Sequence, residues 1–499
     1  MTAIKTVGVC GAGSMGAGIA QIAAQAGHQV VVLDRDEDAL ARGRSSVDKG
    51  AAALLKRGKI NEDEAEALKA RILWTLDIDA LSDAELVIEA IVENADIKQA
   101  LFAQLESTLS NDAVIATNTS SLSVTSLSSG LKHPARFIGL HFFNPAPIMK
   151  LVEVVRGLST DAALSEQMLQ LMEQWDKVAV SVRDAPGFIV NRVARPYYGE
   201  GWRALEEGAA EAATLDFLYR DLAGFRMGPF ELGDLIGHDI NAAAASSVFE
   251  AYFGRTRFTP SLMQGQLADA GRLGRKTGRG VYEYGEDAAK PEPAFTQSAS
   301  PTQTPIRLPR DVDMPIVKLL DELGVEYSAD ETFDTPCAAV GDVLIDVTFG
   351  PTAGLLAAQY QKPVALLDWV RDGKAASAIA FAASDDKARA TALDLAARAG
   401  KRAIELADRP GLVVFRTLAQ LANCAADAVR DQIADSEAID RAMMYGVNYP
   451  FGPMAWAEEI GFDYVAGALE AISEWTGEAM YQPSEALRHL ELKEANDYE

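Results

Sequence analysis

From residue 4 to residue 40 the chain runs as an apolar stretch, TVGVCG, a glycine turn, an Ala-rich amphipathic segment, a second apolar stretch, QVVVLD, and a polar turn. This order predicts strand, helix and strand, the opening of a βαβ unit. Further apolar stretches at residues 84–92 (AELVIEAIV), 112–118 (DAVIATN) and 135–143 (ARFIGLHFF) predict strands separated by helical segments. Strands that alternate with helices pack as a parallel, doubly wound sheet, so residues 1–184 are expected to form one α/β domain.

Beyond residue 185 strand-like runs become scarce. Ala-rich amphipathic segments take over as far as VYEY near residue 284, which predicts an all-α domain over 185–284. Residues 288–313 are rich in Pro, Ser, Thr and Gln and poor in large apolar side chains, so a linker is expected over 285–313. The part beyond it contains a repeat. Under a shift of 224 residues, Pro186 and Gly187 fall on Pro410 and Gly411, Arg192 on Arg416, Gly228 and Pro229 on Gly452 and Pro453, and Gly237 on Gly461. Further back the match weakens, with RFIGLHFF (136–143) lying near KPVALLDW (362–369). A tandem duplication is expected, its second copy made of a degenerate α/β segment, 314–405, and a second all-α domain, 406–499.

Composition narrows the partners. With 499 residues, 48% apolar and 24% charged, the chain has the balance of a globular protein of about three domains at roughly 150 residues each. Its 46 basic and 72 acidic residues leave a net charge of −26, which repels a phosphate backbone and argues against nucleic acid. A few local lysines can still hold a polyanionic cofactor such as coenzyme A. Cys10, Cys337 and Cys424 show no metal-like spacing, so a reducing compartment, small buried thiols and no zinc site are expected. The amino end lacks the pattern of a cleavable leader, and no apolar run reaches about 18 residues, so a cytoplasmic protein without membrane contact is expected.

In GAGSMG, Gly11, Gly13 and Gly16 follow the first strand and open the helix, with Ser14 and Met15 between them. A tight turn, close approach of a pyrophosphate and helix-strand packing each exploit a missing side chain, and the helix amino end offers N–H groups to phosphate. Asp34 closes the second strand, where a carboxylate accepts bonds from ribose hydroxyls and repels a 2′-phosphate. A Rossmann-type site for NAD rather than NADP follows. Arg35 beside Asp34 works the other way, and a capping role for Asp34 in DRDED is the plainer alternative.

Among five histidines, His141 stands out, at the end of an apolar strand in GLHFFNP and hence at the carboxyl edge of the expected sheet. Imidazole, with an ordinary pKa of about 6.5, suits a general base near neutral pH. Glu153 lies in the apolar strand KLVEVV, where an unpaired charge is costly. The two together suggest a base and its orienting carboxylate; a hydrogen-bonded core histidine and a solvent-facing glutamate are the structural alternatives.

The segments GAGSMGAGIA, VENADIKQALF, ATNTSSL, GLHFFNPAPIMKLVEVV, DAPGFIVNR, GPFELGD and GRKTGRGVYEY resemble, in order and spacing, those of the 3-hydroxyacyl-CoA dehydrogenases over residues 1–284. The resemblance implies an NAD-dependent oxidation of L-3-hydroxyacyl-CoA, with His141 as base, Glu153 as its partner, and Ser120 and Asn191 holding the substrate. It places Glu93, Lys98, Asn118 and Asn144 around the nicotinamide half of NAD. Lys49 and Lys56, on one helical face with Lys59 close behind, become candidates for coenzyme A phosphates. Long, duplicated members of this kind act on 3-hydroxyadipyl-CoA in phenylacetate breakdown, and 3-hydroxybutyryl-CoA dehydrogenases share the architecture. Arg195, Arg203 and Arg226 are candidates to receive a distal carboxylate.

Under the same shift Ser120 meets Leu344, His141 meets Ala365, Glu153 meets Ser377 and Asn191 meets Phe415, so the second copy is expected to be inactive. Short members of the family pair through their helical domains. Residues 406–484 are therefore expected to pack on 185–284 within the chain in place of a partner, leaving a homodimer open. A sugar-acid dehydrogenase of similar layout and a non-catalytic structural homologue are the competing expectations.

Overall fold

The computed structural model describes residues 4–286, 288–297, 301–309, 314–333 and 335–497. The chain divides into two compact units, Met1–Arg192 with Asp431–Val447, and Val193–Arg430 with Asn448–Glu499.

The first unit is built on an eight-stranded sheet: β1 (Thr6–Cys10), β2 (Gln29–Leu33), β3 (Ile72–Thr75), β4 (Leu86–Glu89), β5 (Val114–Thr117), β6 (Phe137–Phe142), β7 (Leu151–Arg156) and β8 (Val178–Arg183). Their order is β3-β2-β1-β4-β5-β6-β7-β8. Neighbours are parallel except β6 and β7. Helices cover both faces of such a sheet, so central strands are buried throughout and apolar up to their carboxyl ends: every residue of β4 and β5 is buried, with Glu89 and Thr117 closing them. Strand β3 has weaker patterning because it is an edge, and Leu73 on it is exposed. Strand order reverses between β1 and β4, and the crevice beyond their carboxyl ends is where such sheets bind ligands.

A piece of the second repeat belongs to this first unit. The helix Ser436–Gly446 lies on β7 and β8, and the Arg183 amide at the end of β8 donates to the Ile433 carbonyl at 2.9 Å. The expected packing of 406–484 as one block on 185–284 is thus corrected: residues 431–447 go instead to the sheet, where the edge strand β8 offers unpaired backbone groups.

In the second unit the helix Arg195–Glu206 packs along the helix Val414–Arg430. Arg416 meets Glu200 and Glu207, each at 3.0 Å, and Arg416 and Glu200 are almost wholly buried. The hydroxyls of Tyr219 and Thr417 lie 2.7 Å apart. The two helical regions therefore do pair within the chain along these helices.

This unit also holds a seven-stranded sheet: β9 (Ile306–Leu308), β10 (Tyr327–Ala329), β11 (Ala338–Val340), β12 (Val343–Val347), β13 (Val364–Leu367), β14 (Ala378–Ala383) and β15 (Arg402–Glu405), in the order β10-β9-β11-β12-β13-β14-β15. From β12 to β15 the pairings are parallel, antiparallel and parallel, as from β5 to β8. Strand β9 falls inside the expected linker 285–313, a correction. Ile306 and Leu308 are both buried at strand spacing, and the Thr296 amide bonds the Ala403 carbonyl at 2.8 Å, so backbone partners order a stretch whose side chains are mostly polar. Residues 287, 298–300 and 310–313 of that linker lie outside the described residues.

Cys10, Cys337 and Cys424 are buried and none is in a disulfide. Among the described residues no helix is long and apolar enough to cross a membrane, and no three His, Cys, Asp or Glu side chains are grouped to hold a metal.

Candidate active site

The loop after β1 is shaped by its glycines. Gly11 has a φ of +107°, and a Cβ on it would come within 2.5 Å of the Ala90 carbonyl oxygen; one on Gly16 would come within 1.8 Å of the Gly11 oxygen. A Cβ on Gly13 would meet nothing within 4 Å, so this turn is tight on the sheet side and open on the other. Gly13 begins the helix Ser14–Gln25 with no side chain capping its first amides, and Ser14 is exposed while Met15 is half-buried. Asp34 accepts from the Ala12 amide at 2.7 Å and from the Arg35 amide at 2.8 Å, which fixes its carboxylate beside the turn. Open glycine, uncapped helix amino end and adjacent carboxylate fit a dinucleotide.

Behind the turn a carboxylate the sequence did not single out organises the site. Glu89, at the end of β4 and fully buried, accepts from Lys98 Nζ at 2.5 Å, from the Thr117 hydroxyl at 2.7 Å and from the Ile91 amide at 2.7 Å. Lys98 is itself buried and reaches Glu93 at 3.1 Å. One oxygen of Glu93 then gathers the Thr119 hydroxyl at 2.6 Å and the amides of Ser120 at 2.9 Å and Ser121 at 3.2 Å. Burial pushes the Glu93 carboxyl up, but the Thr119 hydroxyl, the Lys98 charge and the Ser120 amide outweigh it and hold the group below the usual carboxylate range. Lys98 thus faces two carboxylates rather than open space, and it shapes the loop that carries Ser120.

His141, at the end of β6, stands opposite Glu153 in β7. Their side chains meet at 2.6 Å between Nδ1 and Oε2, and both are buried. The other Glu153 oxygen accepts from the amides of Ile189 at 2.9 Å and Val190 at 3.0 Å. A carboxylate only accepts, so Nδ1 carries a hydrogen, and in the neutral ring Nε2 is then the nitrogen with the free lone pair. Phe143 and Phe188 flank the ring, with centroids 4.5 and 5.7 Å away. Asn118 takes the Phe142 amide at 2.9 Å, tying the end of β5 to the strand that carries His141.

The PGF turn that presents the Ile189 and Val190 amides, with Gly187 at φ +75° and Phe188 at +47°, leads into the short helix Val190–Val193 bearing Asn191. Asn191 donates to the Ser120 carbonyl at 3.3 Å. Asn191 with Ser120 and His141 with Glu153 are therefore two bonded pairs, linked through the backbone of Val190 and Asn191, with Glu93 and Lys98 behind Ser120. Asn144 is exposed beside a cis bond to Pro145, and Lys49, Lys56 and Lys59 are exposed on and just after the helix Glu37–Lys56. Of the arginines, Arg203 is paired with Glu200 at 3.1 Å, Arg195 lies over the Tyr198 ring and Arg226 is exposed.

The second copy has lost this site, by a different exchange from the one a fixed shift gives. Leu151 pairs with Val178 in the first sheet and Ala378 with Arg402 in the second, so the second copy is shorter between these strands than a shift of 224 allows. Ala380 then stands at the level of Glu153, and Asp368, whose amide donates to Ala380, at the level of His141; Ser377 and Ala365 are not the counterparts. Leu344 pairs with Val364 inside β12, level with Ile115 of β5, and is not the counterpart of Ser120. Asp368 accepts from Val413, Val414 and Phe415, so it holds the amides that Glu153 holds in the first copy, with no imidazole beside it.

Residues 6–185 match the 3-hydroxyacyl-CoA dehydrogenase NAD binding domain, residues 187–284 and 411–497 each match its C-terminal domain, and residues 345–410 match the 3-hydroxybutyryl-CoA dehydrogenase reduced Rossmann-fold domain. The chain is 41% identical to a 3-hydroxyadipyl-CoA dehydrogenase of Escherichia coli K12 over 99% of both lengths. It is 38% identical to a 3-hydroxybutyryl-CoA dehydrogenase of Mycobacterium tuberculosis over 56% of this chain and 99% of that one. A crystal structure of a 3-hydroxybutyryl-CoA dehydrogenase from E. coli K12 superposes over 100% of both chains with a TM-score of 0.90 at 40% identity. With models of one family spread from residue 6 to residue 497 and a relative matched along nearly its whole length, the chain belongs to the 3-hydroxyacyl-CoA dehydrogenases.

Proposed function

We propose that this chain oxidises an L-3-hydroxyacyl-CoA thioester to the 3-oxoacyl-CoA at a single site in the first unit, with NAD as its cofactor. The observation that carries this is the buried contact of His141 with Glu153, whose second oxygen is already committed to two amides. Nε2 of His141 takes the proton of the 3-hydroxyl as the C3–H bond breaks. Glu153 holds Nδ1–H and stabilises the imidazolium that forms. The Ser120 hydroxyl and the Asn191 amide hold the 3-oxygen and the thioester carbonyl as the alcohol becomes a ketone. Gly11, Gly13, Ser14, Met15, Gly16 and Asp34 hold the dinucleotide, with Glu93, Asn118 and Asn144 toward its nicotinamide end and Lys98, buried behind Glu93, orienting that carboxylate rather than touching the cofactor. When bound, NAD accepts the hydrogen and electron pair that leave C3. Lys49 and Lys56 receive coenzyme A phosphates.

The acyl group is 3-hydroxyadipyl, as in the full-length relative named for that substrate, with 3-hydroxybutyryl as the second choice from the name of the full-length structural match. The buried thiols fit a reducing compartment, and the cytoplasmic setting in phenylacetate breakdown belongs to the same proposal. Loss of NADH absorbance at 340 nm with acetoacetyl-CoA tests the reaction, and inactivity with NADH there sinks it. A kcat/KM for 3-hydroxybutyryl-CoA equal to or above that for 3-hydroxyadipyl-CoA overturns the substrate choice alone.

A further inference from the structure

Residues 431–447 descend from the repeat that has no site of its own, yet they are part of the unit that has one. Both ends of the segment grip that unit beside its working groups. Arg192, fully buried and next to Asn191, sends Nη2 to Asp431 at 2.6 Å. Arg183, at the end of β8, donates from its side chain to the Asp431 carbonyl at 2.5 Å and from its amide to the Ile433 carbonyl at 2.9 Å. At the other end, a Cβ on Gly446 would come within 2.5 Å of the Leu151 side chain and 3.1 Å of the Val190 side chain. Leu151 is in the strand of Glu153, and the Val190 amide is one of the two that Glu153 accepts.

A buried guanidinium is costly unless acceptors meet it, and Asp431 is an acceptor that holds Arg192 in its direction. The Arg192 amide in turn bonds the Gly187 carbonyl at 3.1 Å, closing the turn that carries Ile189, Val190 and Asn191. We propose that Asp431 is a positioning residue: supplied by the inactive repeat, it fixes Arg192 and through it the placement of Asn191 and of the amides that hold Glu153. This rests on the roles given above to Asn191 and Glu153.

The second unit contains the same arrangement with the copies exchanged. Under the repeat shift Arg192 falls on Arg416 and Asp431 on Glu207, and Arg416 meets Glu207 at 3.0 Å. The Ala407 amide donates to the Ala209 carbonyl at 3.2 Å, repeating the bond from Arg183 to Ile433. There the arginine follows Phe415 instead of an asparagine, so no substrate group depends on it. Glu207 is thus a built-in control for Asp431.

The test compares Asp431→Asn with Glu207→Gln in the full chain, following Tm and the separate KM values for acetoacetyl-CoA and NADH. Both variants lower Tm, and only Asp431→Asn raises the acetoacetyl-CoA KM, by about tenfold, with the NADH KM unchanged and partial recovery in Asp431→Glu. Should Asp431→Asn fail to fold, Gly446→Ala, which presses on Val190 and Leu151, is expected to raise the same KM. An acetoacetyl-CoA KM unmoved in the folded variant, or moved equally by Glu207→Gln, overturns the proposal. Asn191→Ala is measured beside them: if it leaves KM unchanged, the role of Asn191 fails and this proposal with it, whereas a raised KM there with none for Asp431→Asn overturns the positioning role alone.

Discussion

Glutamine at position 153 would present one oxygen and one NH2 group where the carboxylate presents two acceptors. Either the amides of Ile189 and Val190 or the Nδ1–H of His141 would then face a donor. Glu153→Gln is therefore expected to lower kcat about 100-fold or more, as is His141→Gln, with little change in the KM for NADH; stopped-flow turnover with acetoacetyl-CoA checks both. At Asp34, Asp34→Ala removes the ribose acceptor and the repulsion of a 2′-phosphate together, so the kcat/KM ratio of NAD over NADP is expected to fall by at least tenfold. An unchanged ratio would place cofactor choice elsewhere. His141 and Glu153 were legible in the sequence because a carboxylate in an apolar strand needs a partner. Glu89 sends the same signal from LVIE, but its partner Lys98 comes from the helix Ala95–Thr108, and only folding shows which cation reaches it.

Among the elements, the pairing of the helices Arg195–Glu206 and Val414–Arg430 depends on buried charge as well as apolar contact. Arg416→Met leaves Glu200 with Arg203 as a cation but removes the Arg416 charge from between Glu200 and Glu207, and is expected to cost about 1–3 kcal/mol, seen as a lower denaturant midpoint. Strand β12 carries a different liability. Burial pushes the Asp346 carboxyl up to about 7, and the Val347 amide is the hydrogen bond that opposes it. Since an unfolded aspartate titrates near 4, the folded chain binds the extra proton between pH 4 and pH 7, and stability falls as pH rises through that window. Asp346→Asn is expected to flatten that slope and raise Tm by about 2–4 °C at pH 8 with no gain at pH 4, which calorimetry at the two pH values can show. Helices and central strands of the first unit were legible from apolar periodicity, and the repeat from its glycines and prolines. The register of β12 to β15 was not, because changes of chain length between strands leave no mark in short apolar runs such as VALL and AIAFAA, and β9 was hidden in polar sequence that only its neighbours order.

For the chain as a whole, duplication makes one kind of contact twice within a single chain. Arg192 with Asp431 and Arg416 with Glu207 are the same pair made twice, the relation expected of a two-fold interface in which residue i meets j and j meets i. A fragment ending at residue 286 keeps Arg192 and Glu207 but loses Asp431 and Arg416, the opposite member of each pair. It also uncovers Glu200, Tyr219 and the apolar face on which the helix Val414–Arg430 lay. Two such fragments can meet these needs only by pairing with each other, and the uncovered face was shaped for Val414–Arg430 rather than for a second Arg195–Glu206. The fragment is therefore expected to sediment as a dimer or aggregate, and Glu207→Arg within it to abolish any defined dimer by setting like charges together. Sedimentation velocity decides the matter: a soluble monomer of residues 1–286 with full activity would show that the second copy supplies neither packing nor positioning.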